Sequence, residues 1–276
     1  MRRHQGLMMP ADISSRQHSI MGFIREHGSV QVDELSAYLQ VTPQTIRRDL
    51  NHLYELELVQ RVHGGAVIKD SVENLGYGAR KILMAAEKAE IARLTAEIIP
   101  DNSSMYINIG TTTERVAEFL VDRSDMLVIT NNINVASTLW PSRGIEVMIA
   151  GGLIRRSDGG IVGASTEEFM NKFKLDYAVI GCSAIDGSGE FYDYDLREVR
   201  ITQAIIGHAR SVIMVTDSTK LERNASVIVG NLADIDTLVI DDGISDRFID
   251  LCRQNDVQVK IAKSSASEKK SSGMAK

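Results

Sequence analysis

An α/β fold in two parts is what this sequence predicts: a winged helix-turn-helix followed by a larger domain on a mostly parallel sheet. Three observations predict it. A Thr42-Pro43 pair opens a short amphipathic helix, and two β-like runs meet just behind it at His63-Gly64-Gly65. From Glu87 onward, helical and strand-like segments alternate up to residue 262.

Taken in order, Ser14 and Ser15 are good caps for a helix reaching His27, with Ile20, Phe23 and Ile24 on one face. Gly28 stops it, and a short extended piece over 29–32 leads to a second helix opened by Asp33 and carrying Leu35, Tyr38 and Leu39. Thr42 caps the third helix, and Pro43 suits its first turn because that N–H has no helical partner. Ile46, Leu50 and Leu53 then fall on one buried stripe. Runs over 58–62 and 66–68, joined by the Gly-Gly turn, make the wing.

These elements place the first domain at 12–69 and leave 70–86, which has no clear period, as a linker. Strands are expected over 105–109, 127–130, 147–150, 177–180, 212–216, 237–240 and 258–261, and helices over 87–99, 113–121, 133–139, 196–208 and 246–254. That alternation gives the second domain, 87–262, a parallel sheet with helices on both faces. The Ser- and Lys-rich stretch 263–276 reads as a disordered tail.

Charge qualifies what the chain binds. The net charge is −6, yet the first seventy residues hold eight basic and eight acidic side chains, so the whole excess lies in the second part. Five of the six histidines fall in the first part. A neutral module cannot hold DNA by bulk attraction, so a few placed cations must do it. The two cysteines, Cys182 and Cys252, match neither a metal nor a disulfide spacing, which favours a reducing compartment. No apolar run has the ~20 residues of a membrane helix. A cytoplasmic protein is expected, with no membrane partner, no metal, no cofactor and no assigned catalytic residue.

With its apolar stripe buried, the third helix presents Gln44, Arg48, Asn51 and His52, flanked by Thr45 and Arg47. Arginine bonds a guanine edge and glutamine an adenine edge, whereas Thr, Asn and His commonly hold phosphates. Asp49 would repel phosphate and is read as an internal partner that orients an arginine. Arg61 and His63 extend the same surface onto the wing, and Arg16 and His18 add phosphate candidates on the first helix. Double-stranded operator DNA is the expected partner. One winged helix covers little DNA, so a homo-oligomer, dimer or tetramer, is expected.

In the second domain, Gly110-Thr111-Thr112 follows a strand and opens a helix, where free N–H groups favour an anion. Thr130-Asn131-Asn132 is placed alike, and Gly151-Gly152 and Gly159-Gly160 permit close backbone approach. Such loops gather at one edge of an open parallel sheet. Lys220 lies just past another strand and suits a phosphate as a point charge. Arg155, Arg156 and Arg200 read more simply as solvated charges.

The segment Val41–Leu53, the run Arg61-Val62-His63-Gly64-Gly65-Ala66, and the later stretches Asn108-Ile109-Gly110-Thr111-Thr112, Arg156-Ser157-Asp158-Gly159-Gly160 and Glu198-Val199-Arg200 resemble the DeoR-type bacterial repressors. The resemblance covers roughly 14–262. It implies an effector domain like ribose-5-phosphate isomerase and related sugar-phosphate enzymes. It also implies contacts to a phosphorylated effector, glycerol 3-phosphate or another sugar phosphate, from Gly110, Thr111, Thr112, Asn131, Gly151, Gly152 and Lys220. Polar contacts to the ligand hydroxyls are implied for 193–198. Repression relieved by ligand follows from the same likeness. An isomerase-like enzyme, with Asp195 or Glu198 as its base, is the alternative.

Overall fold

A computed structural model describes residues 13–27, 29–56, 58–62, 65–68, 77–223 and 225–263, and the chain divides into two compact units at Leu83/Met84. Of the expected tail, 263–276, residues 264–276 lie outside the described residues, as do 70–76 of the expected linker.

In the first unit, helix α1 spans Ser15–His27. Its start is locked reciprocally: Gln17 N donates to Ser14 Oγ (3.3 Å) and Ser14 N to Gln17 Oε1 (2.9 Å). Strand β1 (Ser29–Gln31) runs directly into α2 (Val32–Leu39), which is capped by Gln31 and Glu34 rather than opened at Asp33. Helix α3 is Pro43–Glu55, with Thr42 as its cap. Ile46, Leu50 and Leu53 are buried against Ile20, Ile24, Leu35 and Leu58. Each such side chain contributes roughly 1.5–3 kcal/mol by leaving water.

Strands β2 (Val59–Val62) and β3 (Gly65–Ile68) pair antiparallel, and β3 lies between β1 and β2. Gly65 is required there, because a Cβ would sit 1.8 Å from the Val30 carbonyl oxygen. Tyr54 ties the hairpin to α3 by donating to the Gly65 carbonyl (2.8 Å). Helix α4 (Tyr77–Ile82) forms inside the expected linker, and Ile82 and Leu83 pack on the first unit's core. Six residues with a glycine at the second give no period to read.

The second unit opens with α5 (Ala85–Ile98) and proceeds through β4 (Ser104–Ile107), α6 (Thr111–Glu118), β5 (Met126–Thr130), α7 (Ile133–Leu139) and β6 (Ile145–Ile149). A small hairpin, β7 (Leu153–Ile154) and β8 (Ile161–Val162), then leads to α8 (Ala164–Met170) and β9 (Leu175–Ile180). Next come β10 (Ala184–Ile185), β11 (Glu190–Asp193), α9 (Leu196–Gly207), β12 (Ala209–Val215) and β13 (Val227–Asn231). The unit closes with β14 (Thr237–Asp241), α10 (Asp246–Gln254) and β15 (Gln258–Ala262).

All seven expected strands form one sheet, in the order β15-β14-β12-β9-β4-β5-β6, and every pairing in it is parallel. Alternate residues face opposite cores. Tyr106, Ala178 and Met214 join the layer with Val199, Ile205 and Phe248. Met105, Ile107, Val179 and Ile213 join the layer with Ile91, Val116 and Val135. Helix α8, the β7–β8 hairpin and the antiparallel trio β10-β11-β13 were not foreseen, since elements this short carry no period.

Candidate DNA-reading helix and effector loops

The exposed positions of α3 are Pro43, Gln44, Arg47, Arg48, Asn51 and Glu55, and Gln44, Arg47, Arg48 and Asn51 share one helical face. Neither Arg47 nor Arg48 has a carboxylate partner among the described residues. Two of the expected contacts are partly committed inside the domain. Thr45 Oγ1 is hydrogen-bonded to Thr42 Oγ1 (2.9 Å) as part of the helix cap. His52 Nδ1 accepts from Gln17 Nε2 (3.0 Å), which leaves Nε2–H as its outward donor. Asp49 does bind an arginine, but it is Arg16 of α1 and neither neighbour on its own helix. Arg61 lies in β2 opposite Ala66; its side chain, and all of His63, lie outside the described residues.

In the second unit the candidate loops follow five neighbouring strands. Lys220 comes after β12, Cys182 after β9, Gly110 after β4, Asn131 after β5 and Gly151 after β6. Chain order reverses between β9 and β4, so the switch point of the sheet, where ligands usually enter, lies beside Gly110. Lys220 reaches toward it: Nζ donates to the Cys182 carbonyl (2.6 Å), at the end of the strand next to β4. The strand ends of β12 and β6 are four spacings apart, about 19 Å. A three-carbon phosphate cannot touch both, so the seven expected contacts divide into an inner group and an outer one.

Gly110 (φ +153°) precedes α6, whose first turn presents Thr111 and the buried Thr112. Thr113 is turned inward, with its hydroxyl against the Asn108 (2.7 Å) and Gly110 (2.8 Å) carbonyls. Asn131 is fully buried; Nδ2 donates to the Ile161 carbonyl (3.2 Å), and Oδ1 has no partner among the described residues. The carbonyl fixes that orientation, since only the amide nitrogen can donate to it. A buried acceptor left so costs about 1–3 kcal/mol and calls for a donor such as a hydroxyl.

The expected close approach at Gly152 is made by the protein itself. At φ +155° its Cβ would lie 2.2 Å from Thr166 Oγ1 and 3.0 Å from the Val162 carbonyl oxygen. Gly151 is exposed like Gly152 but has nothing within 4 Å of its Cβ position among the described residues.

Arg155 is not a solvated charge. Its guanidinium binds Asp158 twice (2.8 and 2.6 Å), Asp195 (3.1 Å) and Glu198 (2.6 Å), joining the β7–β8 connection to the start of α9. Arg156 and Arg200 are exposed. Hydrogen bonding to Arg197, ahead of that to Arg155, holds the Asp195 carboxyl down at about 2. Burial, with repulsion from Asp193, pushes the Glu198 carboxyl above the usual range, and Arg155 opposes this. Three carboxylates (Asp158, Asp195 and Glu198) around two arginines make this end of the site unfavourable for a phosphate and suited to hydroxyls.

One residue of the network lay outside the sequence reading. Glu114, buried in the first turn of α6, accepts from both Asn132 Nδ2 (3.0 Å) and Asn134 Nδ2 (2.9 Å). Asn134 also donates to the Asp158 carbonyl (2.9 Å). A carboxylate beside an expected anion loop was the signal available in the sequence.

Residues 16–72 match the DeoR-like helix-turn-helix domain and residues 84–242 the DeoR C-terminal sensor domain. The glycerol-3-phosphate regulon repressor of Escherichia coli (strain K12) is 41% identical over 83% of this chain and 90% of its own length. That of Haemophilus influenzae is 42% identical, over 83% of this chain and 89% of its own. The transcriptional repressor CsqR of Escherichia coli (strain K12) is 37% identical over 82% and 87%. Among solved structures, ribose 5-phosphate isomerase A from Neisseria gonorrhoeae is similar at 14% identity and a TM-score of 0.35, over 51% of this chain and 54% of that one.

Proposed function

We propose that this chain, which belongs to the DeoR family, represses a carbon-catabolism operon and leaves its operator when glycerol 3-phosphate binds the sensor domain. It is a DNA-binding repressor with a sensor for a phosphorylated effector. The choice of effector rests on the glycerol-3-phosphate regulon repressors that align over most of the chain. The observation that supports the site is the switch point between β9 and β4. Gly110, Thr111 and Thr112 would offer N–H and hydroxyl donors to the phosphate, and the Lys220 ammonium its charge. Asn131 Oδ1 would accept a ligand hydroxyl, while Gly151 and Gly152 wall the outer side.

On the DNA, Arg48 and Gln44 would read base edges, and Arg47, Asn51, His52, Thr45, Arg61 and His63 would hold phosphates. The working form is a cytoplasmic homo-oligomer carrying two or four heads. The family relation favours a role without turnover, and absence of turnover of glycerol 3-phosphate or ribose 5-phosphate by the pure protein is the expected result.

Gel-shift titration with the DNA upstream of the chain's own gene, with and without glycerol 3-phosphate, tests the proposal. A specific shift reversed by this ligand supports it. A specific shift indifferent to it keeps the repressor and rejects the ligand, directing attention to other sugar phosphates.

A further inference from the structure

The edge of α3 beside its reading face is formed by Thr45, Asp49 and His52, and the first turn of α1 lies against it. Arg16 Nε and Nη2 bind Asp49 Oδ2 and Oδ1 (2.5 and 3.2 Å). Gln17 Nε2 donates to Asp49 Oδ1 (3.3 Å) and to His52 Nδ1 (3.0 Å). The pair is one-sided: the Asp49 side chain is 7% exposed and that of Arg16 41%. Among the described residues Asp49 is the one ion-pair partner of Arg16, bonded through Nε and Nη2, and the side chain keeps the rest of its exposure to solvent.

A helix in the major groove has phosphates along both flanks. A lone carboxylate on that flank would repel them, and a free arginine would have to be ordered on binding. Holding the fork by two bonds from a buried carboxylate removes both obstacles. We propose that Arg16 is a DNA-phosphate contact on α1 and that Asp49 is its positioning residue, so that the DNA surface extends beyond the reading helix. The inference rests on α3 being the reader.

The test is a salt titration of DNA affinity with the full chain, on the upstream DNA named above and on unrelated DNA. Wild type is compared with the double variant Arg16→Gln/Asp49→Asn, which leaves net charge unchanged and no buried charge unpaired. Each phosphate contact adds about 0.9 to the slope of log affinity against log salt. The variant is expected to lose about that much on both DNAs, because a phosphate contact is blind to sequence. An unchanged slope in a variant that melts like wild type overturns the proposal and leaves the pair a structural staple.

If the variant does not fold, wild-type protein is modified with p-hydroxyphenylglyoxal and mapped by mass spectrometry. Protection of Arg16 by both DNAs supports the contact, and equal reactivity with and without DNA overturns it. Failure of the α3 reading itself shows separately, as wild type that does not prefer the upstream DNA.

Discussion

At the scale of single residues, role follows from which donors and acceptors the fold leaves unspent. Arg48 is exposed with no carboxylate partner among the described residues, so its fork is free for a guanine edge. Arg48→Ala is expected to lose roughly 1–3 kcal/mol of discrimination between operator and unrelated DNA, with effector binding intact. Competition gel shifts measure this, and retained selectivity would mean that α3 is not the reader.

Glu198 gives a pH dependence with a definite sign. Its folded carboxyl binds its proton more tightly than the ordinary value of about 4.3. The stability it contributes is therefore complete below that value and is lost as pH rises through its raised one. Asp195, held at about 2, works in the opposite sense and weakens the fold only in strong acid. Melting of the Glu198→Gln chain should thus decline less than wild type as pH is raised from acid to alkaline. An identical decline in both would show that Glu198 ionises normally.

Among elements, the sensor is organised by carboxylates that clip neighbouring loops together. Glu114 joins the start of α6 to the start of α7, Asn134 carries the link to Asp158, and Arg155 carries it to α9. The expected phosphate loop and the expected hydroxyl end are therefore one connected unit. Because a single oxygen of Glu114 takes both amide donors, an amide in its place can keep them. Glu114→Gln should bind glycerol 3-phosphate within a few-fold of wild type, whereas Glu114→Ala should leave the buried Asn132 amide short of an acceptor, remove one of the two acceptors of the half-buried Asn134 amide, and weaken binding by tenfold or more. Calorimetric titration separates these. Equal loss in both variants would point to a need for the charge itself, and no loss in either would remove Glu114 from the site.

For the whole molecule, the governing quantity is the coupling between ligand and DNA. Thermodynamic linkage requires that if glycerol 3-phosphate lowers operator affinity by some factor, operator lowers affinity for the ligand by the same factor. Titrating the effector with and without saturating operator should return that factor. A mismatch would mean that the ligand acts on oligomeric state rather than on a fixed assembly, which sedimentation at the same concentrations would show. The acidic excess outside the first seventy residues adds long-range repulsion from DNA. Non-specific binding should therefore be weak and specificity carried by few contacts.

Local chemistry is what the sequence determined by itself. The Thr-Pro cap, the Ile46-Leu50-Leu53 stripe, and the strand and helix periods each depend on residues within a few positions of one another. They placed α3 and all seven strands of the parallel sheet within a few residues of where they lie. Chain order through a parallel sheet then sends every candidate loop to one edge. Only the tertiary structure decided which side chains are spent. Arg16 finds Asp49 across 33 residues, and Arg155 finds Glu198 across 43. Gly152 meets Thr166, and Asn131 is left with an empty acceptor. Those pairings depend on how whole elements pack, and packing is fixed by buried area and shape summed over the domain, to which no short stretch of sequence has access.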